Sequence, residues 1–370
     1  MKNTVAVLTL VDLQNYGNRL QNYAVHQLLS GRGFAPWTVE VRRTPWKSVA
    51  RTIAYTSGAV DLRHSKSARG RAKAFASFTR AHAPFVTVRP DDVDKLAQRF
   101  DFFSVGSDQV WNPNDSRLGG LSTGLQFLAG IDASRKTTIS PSFGLSQIPA
   151  AWQARYGEWL STFDRMSTRE REGASLIRSL SGRAAEVLID PTLALPAEAW
   201  TRIARASQTP ERPYVIRLFL GGTSPSRERA LTEFAQRNGL TIVDLGDRDA
   251  PISNRSGPAE FISLVQNASL IATDSFHCAV FAFLFNRPLA IYQRIGHGAA
   301  MGSRISTFSQ TFSLGDRLVQ ENCGTLDQLL EHDYSVGYEQ LKLERSRFHD
   351  YLDDEARRLF SAVDGESASA

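Results

Sequence analysis

Four short segments hold side chains of the kinds that bind anions, hold sugars or move protons. In Ala272-Thr273-Asp274-Ser275-Phe276-His277-Cys278, a strand-like run meets an acid, a hydroxyl and an imidazole, then an apolar stretch to Phe285. Asp274 or Ser275 caps a helix there, and His277 falls in its first turn. Exposed N–H groups and the positive end of the helix dipole favour an anion at that place, and an imidazole there can also carry a proton. A histidine satisfied inside the fold is the competing reading. Ser104-Val105-Gly106-Ser107-Asp108-Gln109-Val110-Trp111 ends a strand in a glycine turn that displays an acid, an amide and an indole. Asp108 there either acts at a site or caps a helix. Asn15-Tyr16-Gly17-Asn18-Arg19-Leu20-Gln21 offers Asn15, Asn18 and Gln21, amides suited to sugar hydroxyls, with Gly17 permitting close backbone approach. A turn that only caps a helix has the same composition. Met166-Ser167-Thr168-Arg169-Glu170-Arg171-Glu172 sets Arg169 just after a short strand, in a run that by itself reads as solvated charge.

The elements between these segments alternate. Strands are expected at residues 4–11, 100–105, 137–141, 165–167 and 186–189, and a helix over 19–30 carries Leu20, Tyr23, Ala24 and Leu28 on one stripe. Gly31 and Gly33 stop that helix. Asp190-Pro191-Thr192-Leu193-Ala194-Leu195-Pro196 breaks the pattern with two prolines and marks a domain boundary. Beyond it, strands at 213–220, 240–245 and 269–273 alternate with helices at 226–238 and 261–268, and a charged helix spans 340–362. This is the α/β pattern of a mostly parallel sheet covered on both faces. The expected division is residues 1–195, 196–340, and a terminal helix and tail over 341–370 that packs back on the first domain. In such sheets ligands collect at the carboxyl ends of the strands, where the first three of these segments lie.

Composition narrows the class. A 370-residue chain with a net charge of +5, 42% hydrophobic and 22% charged, is globular and about two domains long. That charge balance is far from the dense Lys/Arg of a nucleic-acid binder. Two cysteines cannot staple a chain of this size, and Cys278 reads as a buried reduced thiol. The N-terminal apolar stretch meets Asp12 too early for a signal peptide, and the longest apolar run, 278–285, is far short of the ~20 residues that span a bilayer. The expectation is a cytoplasmic protein. One stretch departs from the average: residues 42–80 hold ten Lys/Arg against a single acid, Asp61. It reads as a solvated insertion, or as a surface for an anionic membrane or a diphosphate-linked lipid substrate.

Taken together and in order, the segments resemble the polysaccharide pyruvyl transferase family. Asn15-Tyr16-Gly17-Asn18-Arg19-Leu20-Gln21-Asn22-Tyr23-Ala24 resembles its N-terminal signature, and Gly106-Ser107-Asp108-Gln109-Val110-Trp111-Asn112 its second block. Ser167-Thr168-Arg169-Glu170, Asp190-Pro191-Thr192-Leu193, Asp274-Ser275-Phe276-His277 and Met301-Gly302-Ser303-Arg304-Ile305 follow in sequence. The resemblance implies a glycosyltransferase-B-like fold, two Rossmann-like domains facing a cleft. It also implies transfer of a pyruvyl unit from phosphoenolpyruvate to a sugar as a ketal, with release of phosphate. Such a donor needs guanidinium forks and a helix N-terminus. By resemblance Arg169 and His277 contact the donor, with Arg304 and the helix start at Ser275 beside them. His277 is then the proton donor and Asp108 the base for the sugar hydroxyl, while Asn15, Asn18 and Gln109 face a glycan acceptor that can be lipid-diphosphate-linked. No cofactor and no metal are called for.

Two other readings stay open on the sequence. A nucleotide-sugar glycosyltransferase uses the same fold, with Gly221-Gly222-Thr223 as its diphosphate loop. A non-catalytic protein at a membrane surface would use the basic stretch at 42–80.

Overall fold

The computed structural model describes residues 3–11, 14–41, 62–89, 93–114, 124–296, 303–320 and 326–368. Strands β1 (Asn3–Leu8), β2 (Phe34–Val41), β3 (Phe85–Val88), β4 (Phe102–Val105) and β5 (Lys136–Thr138) form one sheet in the order β3-β2-β1-β4-β5. A two-stranded ladder of β6 (Ser167–Thr168) and β7 (Glu186–Val187) follows. Strands β8 (Tyr214–Leu218), β9 (Thr241–Asp244), β10 (Leu270–Thr273), β11 (Leu289–Tyr292) and β12 (Leu318–Val319) form the second sheet in the order β12-β11-β10-β8-β9. Every pairing in both sheets is parallel. That is why β4, β10 and β11 are buried at every position rather than at alternate ones: helices cover both faces of a parallel sheet.

Each sheet has one place where the strand order reverses, between β1 and β4 in the first and between β8 and β10 in the second. Adjacent loops leave such a switch point in opposite directions and open a crevice at the carboxyl ends. The first crevice receives Asn15–Asn18 and Gly106–Gln109. The second receives Leu220–Gly222 and Asp274–His277. Three of the four polar segments of the sequence therefore sit at the two topological openings, and the fourth, with Arg169, follows β6 in the separate ladder.

The two halves share one hydrophobic cluster. Tyr16 stacks on Phe261 with ring centroids 4.6 Å apart, and Trp200 bridges Tyr23 at 5.4 Å and Phe281 at 4.9 Å. The helix Phe276–Leu284 is buried on all sides, as an uninterrupted apolar sequence requires. Each Phe or Leu so buried stabilises the fold by about 1.5–3 kcal/mol relative to exposure. The terminal helix, Ser335–Ala368, returns to the first half. Thr137 Oγ1 donates to Glu355 Oε2 at 2.6 Å, Arg358 Nη2 donates to Lys136 O at 2.7 Å, and Phe360 stacks on Phe34.

Several expectations shift. The first helix starts at Tyr16, not at residue 19, and β1 ends at Leu8. Strands β2 and β3 were not anticipated; β2 carries Pro36, which weakens a strand pattern, yet pairs on both sides. The loop expected at 190–196 is in part a helical turn, Pro191–Ala194, wholly buried. The terminal helix begins at Ser335. Of the basic stretch, residues 42–61 lie outside the described residues, and the rest belongs to the helix Leu62–His82. Lys73 and Arg80 are exposed on it, but Arg71 is not a surface cation. It is buried, stacks 4.2 Å over the Tyr16 ring, and donates to Leu245 O at 3.1 Å, Ser253 Oγ at 2.9 Å and Gln14 O at 2.7 Å. Arg71 therefore ties the halves together rather than facing an anionic carrier. Among the described residues, no helix is long and apolar enough to cross a membrane.

Arg71→Met keeps the apolar stem but strands the carbonyls of Leu245 and Gln14. Urea denaturation should show a loss of about 1.5–3 kcal/mol, the scale of hydrogen bonds from a charged donor. An unchanged midpoint would mean the tie carries no load.

Candidate active site

After β4 the chain turns sharply at Asp108, whose φ of 72° lies in the left-handed region that Asp tolerates better than most residues. The turn is held because Val110 N and Ser142 N both donate to Asp108 O at 2.9 Å. The carboxylate points toward the second half of the protein. Its Oδ2 accepts from Asn18 Nδ2 at 3.0 Å, and its Oδ1 lies 3.9 Å from Arg169 Nη2. Asn15 occupies the N-cap of the first helix and accepts from Asn18 N at 3.2 Å, so the capping reading holds for this residue. Asn18 spends its amide on Asp108. Gln109 packs against the backbone of Gly144, where a Cβ would come within 1.9 Å of Gln109 Nε2. Asn18 thus braces the Asp108 turn, while Asn15 caps the first helix and Gln109 lies against Gly144.

Arg169 leaves the end of β6 and is 4% exposed, which overturns the solvated charge run. Nη1 donates to Asp190 Oδ2 at 2.5 Å, while among the described residues Nε and Nη2 make no hydrogen bond. Glu170 Oε2 lies 4.0 Å from Nε. Burial alone would lower this guanidinium's pKa; Asp190, Glu170 and Asp108 more than offset that and hold it above its ordinary value. Arg304, from the helix Ser303–Thr311, is buried beside it. Burial, and then the like charge of Arg169, push Arg304 down to about 10. The Phe276 ring lies under both guanidiniums, 4.8 Å from Arg169 and 6.0 Å from Arg304.

Ser275 is the N-cap of the helix Phe276–Leu284, although its hydroxyl makes no capping bond. Asp274, the alternative cap, turns the other way: its carboxylate accepts from Leu220 N at 2.6 Å and Gly221 N at 3.0 Å. His277 sits in the first turn, with Nε2 3.5 Å from Asp190 Oδ2. Its ring presses on Gly17 in the first helix, where a Cβ would lie 2.0 Å from Nδ1. The starts of two helices, one from each half, meet at that contact.

The structure therefore brings Asn18, Asp108, Arg169, His277 and Arg304 into one cluster with Ser275 at its edge. The sequence reading missed Asp190, Phe276 and Glu170 as site residues; it gave Gly17 a close approach but not the His277 ring as its partner. Asp190 was read as part of a boundary, yet it is 1% exposed and faces both Arg169 and His277. Burial by itself would raise its carboxyl, but His277, Arg169 and Thr192 hold it far below the usual carboxylate range. The signal that pointed to it was the need of any buried arginine for a carboxylate. A cavity of about 250 Å³ is lined by Arg169, Asp190, Phe276 and Arg304. A second, of about 770 Å³, shares Phe276 and Arg304 and adds Arg294, Ser306 and Gln310. Cys278 is free and buried, its thiol pushed up to about 12 by burial, as expected of an inert packing residue; Cys323 lies outside the described residues. Among the described residues, no group of three or more His, Cys, Asp or Glu is arranged to hold a metal ion.

This constellation can bind a small dianion or trianion, polarise it through two guanidiniums and exchange protons with it through an imidazole and a carboxylate. The profile of the polysaccharide pyruvyl transferase family matches residues 15–292. The chain belongs to this family. The matched span of this pyruvyl transferase runs from the N-cap Asn15 to the end of β11 and contains all the clustered residues except Arg304. No curated protein matches the chain in sequence. Among solved structures, a putative UDP-N-acetylglucosamine 2-epimerase from Listeria monocytogenes is 10% identical, with 100% of this chain and 98% of that one covered and a TM-score of 0.51. The UDP-N-acetylglucosamine 2-epimerase from Rickettsia bellii, 10% identical over 98% of both chains, scores 0.49. The glycotransferase of kitacinnamycin, 14% identical over 99% of both, scores 0.44. At 10% identity the likeness to the Listeria protein is one of fold, and the fold of this chain is the glycosyltransferase-B-like pair of Rossmann-like halves facing a cleft.

Gly17→Ala tests the meeting of the two helices. A methyl group there must displace the His277 ring, and a reacting group moved by about 1 Å costs on the order of 10²-fold in rate. Pyruvyl transfer to a glycan should fall by that factor while circular dichroism stays unchanged. A wild-type rate would show that His277 is not confined by this contact.

Proposed function

We propose that this pyruvyl transferase takes phosphoenolpyruvate as donor and two hydroxyls of a glycan as acceptor, and forms a pyruvate ketal with release of phosphate. The observation that carries the reading is Arg169, a buried guanidinium with one arm fixed on Asp190 and two N–H positions unspent beside Arg304. Two buried like charges over one aromatic ring are stabilised by an anion, and phosphoenolpyruvate brings a carboxylate and a phosphate.

The reaction needs a proton on the methylene carbon, C–O bonds from both sugar oxygens to the central carbon, and cleavage of its bond to the phosphate oxygen. The two hydroxyl protons leave the sugar; one is made up to the methylene and the other to the departing phosphate. His277 supplies the proton on the donor side. Asp108 accepts from the sugar hydroxyl, with Asn18 holding it in place. Arg169 and Arg304 stay bound to the charge that moves onto phosphate, and Ser275 heads the helix whose N–H groups face it. The larger cavity, lined with hydroxyl, amide and guanidinium groups and sharing Arg304 with the smaller, suits a glycan.

The nucleotide-sugar reading loses support at Gly221. In a diphosphate loop the backbone amides face the ligand, whereas Leu220 N and Gly221 N donate to Asp274 and Gly222 N donates to Ile295 O. The loop is already occupied by the protein's own acid.

Phosphoenolpyruvate should raise the thermal midpoint and UDP- or GDP-sugars should not. At one hundred times its dissociation constant the donor adds about 2.7 kcal/mol. Stabilisation by the nucleotide sugars alone would reverse the assignment. Arg169→Lys keeps a charge but loses the fork, so phosphoenolpyruvate affinity should weaken by about 1.5–3 kcal/mol in calorimetry. Equal affinity would remove Arg169 from the donor site.

A further inference from the structure

Asp190 is held from every side. Oδ1 accepts from Thr192 N at 3.0 Å and Thr192 Oγ1 at 2.7 Å. Oδ2 accepts from Ser107 Oγ at 3.1 Å and Arg169 Nη1 at 2.5 Å, and it lies 3.5 Å from His277 Nε2. The residue stands at the N-cap of Pro191–Ala194, with Pro191 fixing the backbone behind it. A carboxylate so restrained cannot rotate away from either cation.

We propose that Asp190 is the positioning residue of this site: it pins one arm of Arg169 so that the Nε–Nη2 edge faces the donor, and it stands against His277 Nε2 on its other side. The inference rests on the phosphoenolpyruvate reading only for the identity of the anion that Arg169 meets. The turn after β4 presents Asp108 to the same cluster, the end of β6 presents Arg169 and Glu170, and the helix Ser303–Thr311 presents Arg304. Among the described residues, Asp190 is the carboxylate within 4.0 Å of the His277 ring nitrogens. Burial of Asp190 would oppose its own ionisation, but its cationic partners and Thr192 keep it ionised, so the charge is present wherever the protein is folded at ordinary pH.

The consequence can be read without knowing the acceptor. Asp190→Asn keeps the shape and removes the charge, so Arg169 loses the anchor of its Nη1 arm. Phosphoenolpyruvate affinity, measured by calorimetry, should fall about tenfold. In an Arg169→Lys background the same change should have little further effect, because the fork that Asp190 holds is already gone. A residue that merely supports the fold would lower affinity by the same factor in both backgrounds, and that result would overturn the proposal. Thr192→Val removes one hydroxyl from Oδ1 and leaves the carboxylate; it should weaken binding by less and lose its effect in the Arg169→Lys background, and it decides the matter if Asp190→Asn does not fold. Failure of phosphoenolpyruvate to bind wild type would sink the donor reading; the Nε–H signal of a labelled Arg169 in the ligand-free protein then judges Asp190 alone, broadening in the variant if the anchor holds the arm and staying as in wild type if it does not.

Discussion

A guanidinium placed out of water needs compensating acceptors, and carboxylates supply the strongest compensation. Arg169 is that guanidinium, and its partners come from three different parts of the chain. Asp108 arrives on the turn after β4, Glu170 is its own neighbour, and Asp190 stands beyond β7. Meeting this demand draws the ladder of β6 and β7 against the first sheet. It also brings the loop after β7 against the helix that carries His277. Once those contacts are made, the positions of the imidazole, both arginines and the Asp108 carboxylate follow with little freedom left.

The second constraint is the close approach of two helix starts. Gly17 leaves room for the His277 ring, and the aromatic contacts of Tyr16, Trp200 and Phe261 keep that joint dry. Two helix N-termini set against one another concentrate positive potential between the halves. The protein supplies Asp108, Glu170 and Asp190 against Arg169 and Arg304, so the guanidinium charges are compensated within the chain. The backbone amides of Leu220 and Gly221, by contrast, are spent on Asp274.

What the sequence determined by itself was the alternation of strands and helices, the parallel sheets and the four polar segments at strand ends. Residue type singled out Asp108 and His277 and the order of motifs added Arg169 and Arg304, four residues that the structure gathers into one cluster. Local signals also misled. The prolines at 191 and 196 marked a domain boundary but gave no hint that Asp190 faces Arg169 and His277. Arg71 read as one more surface cation in a basic run, and Asn15 and Asn18 offered sugar contacts and helix caps on equal terms.

Only the tertiary structure decided these cases, and for a common reason. Whether a charge faces solvent, substrate or another charge depends on partners far away along the chain. Arg71 meets Leu245 and Ser253, Asn18 meets Asp108, and Asp190 meets His277. Side-chain type limits what a residue can do with a partner, but local sequence contains no measure of the distance to it. The packing of the two sheets sets that distance, and with it the difference between a linker carboxylate and one held between an arginine and a histidine.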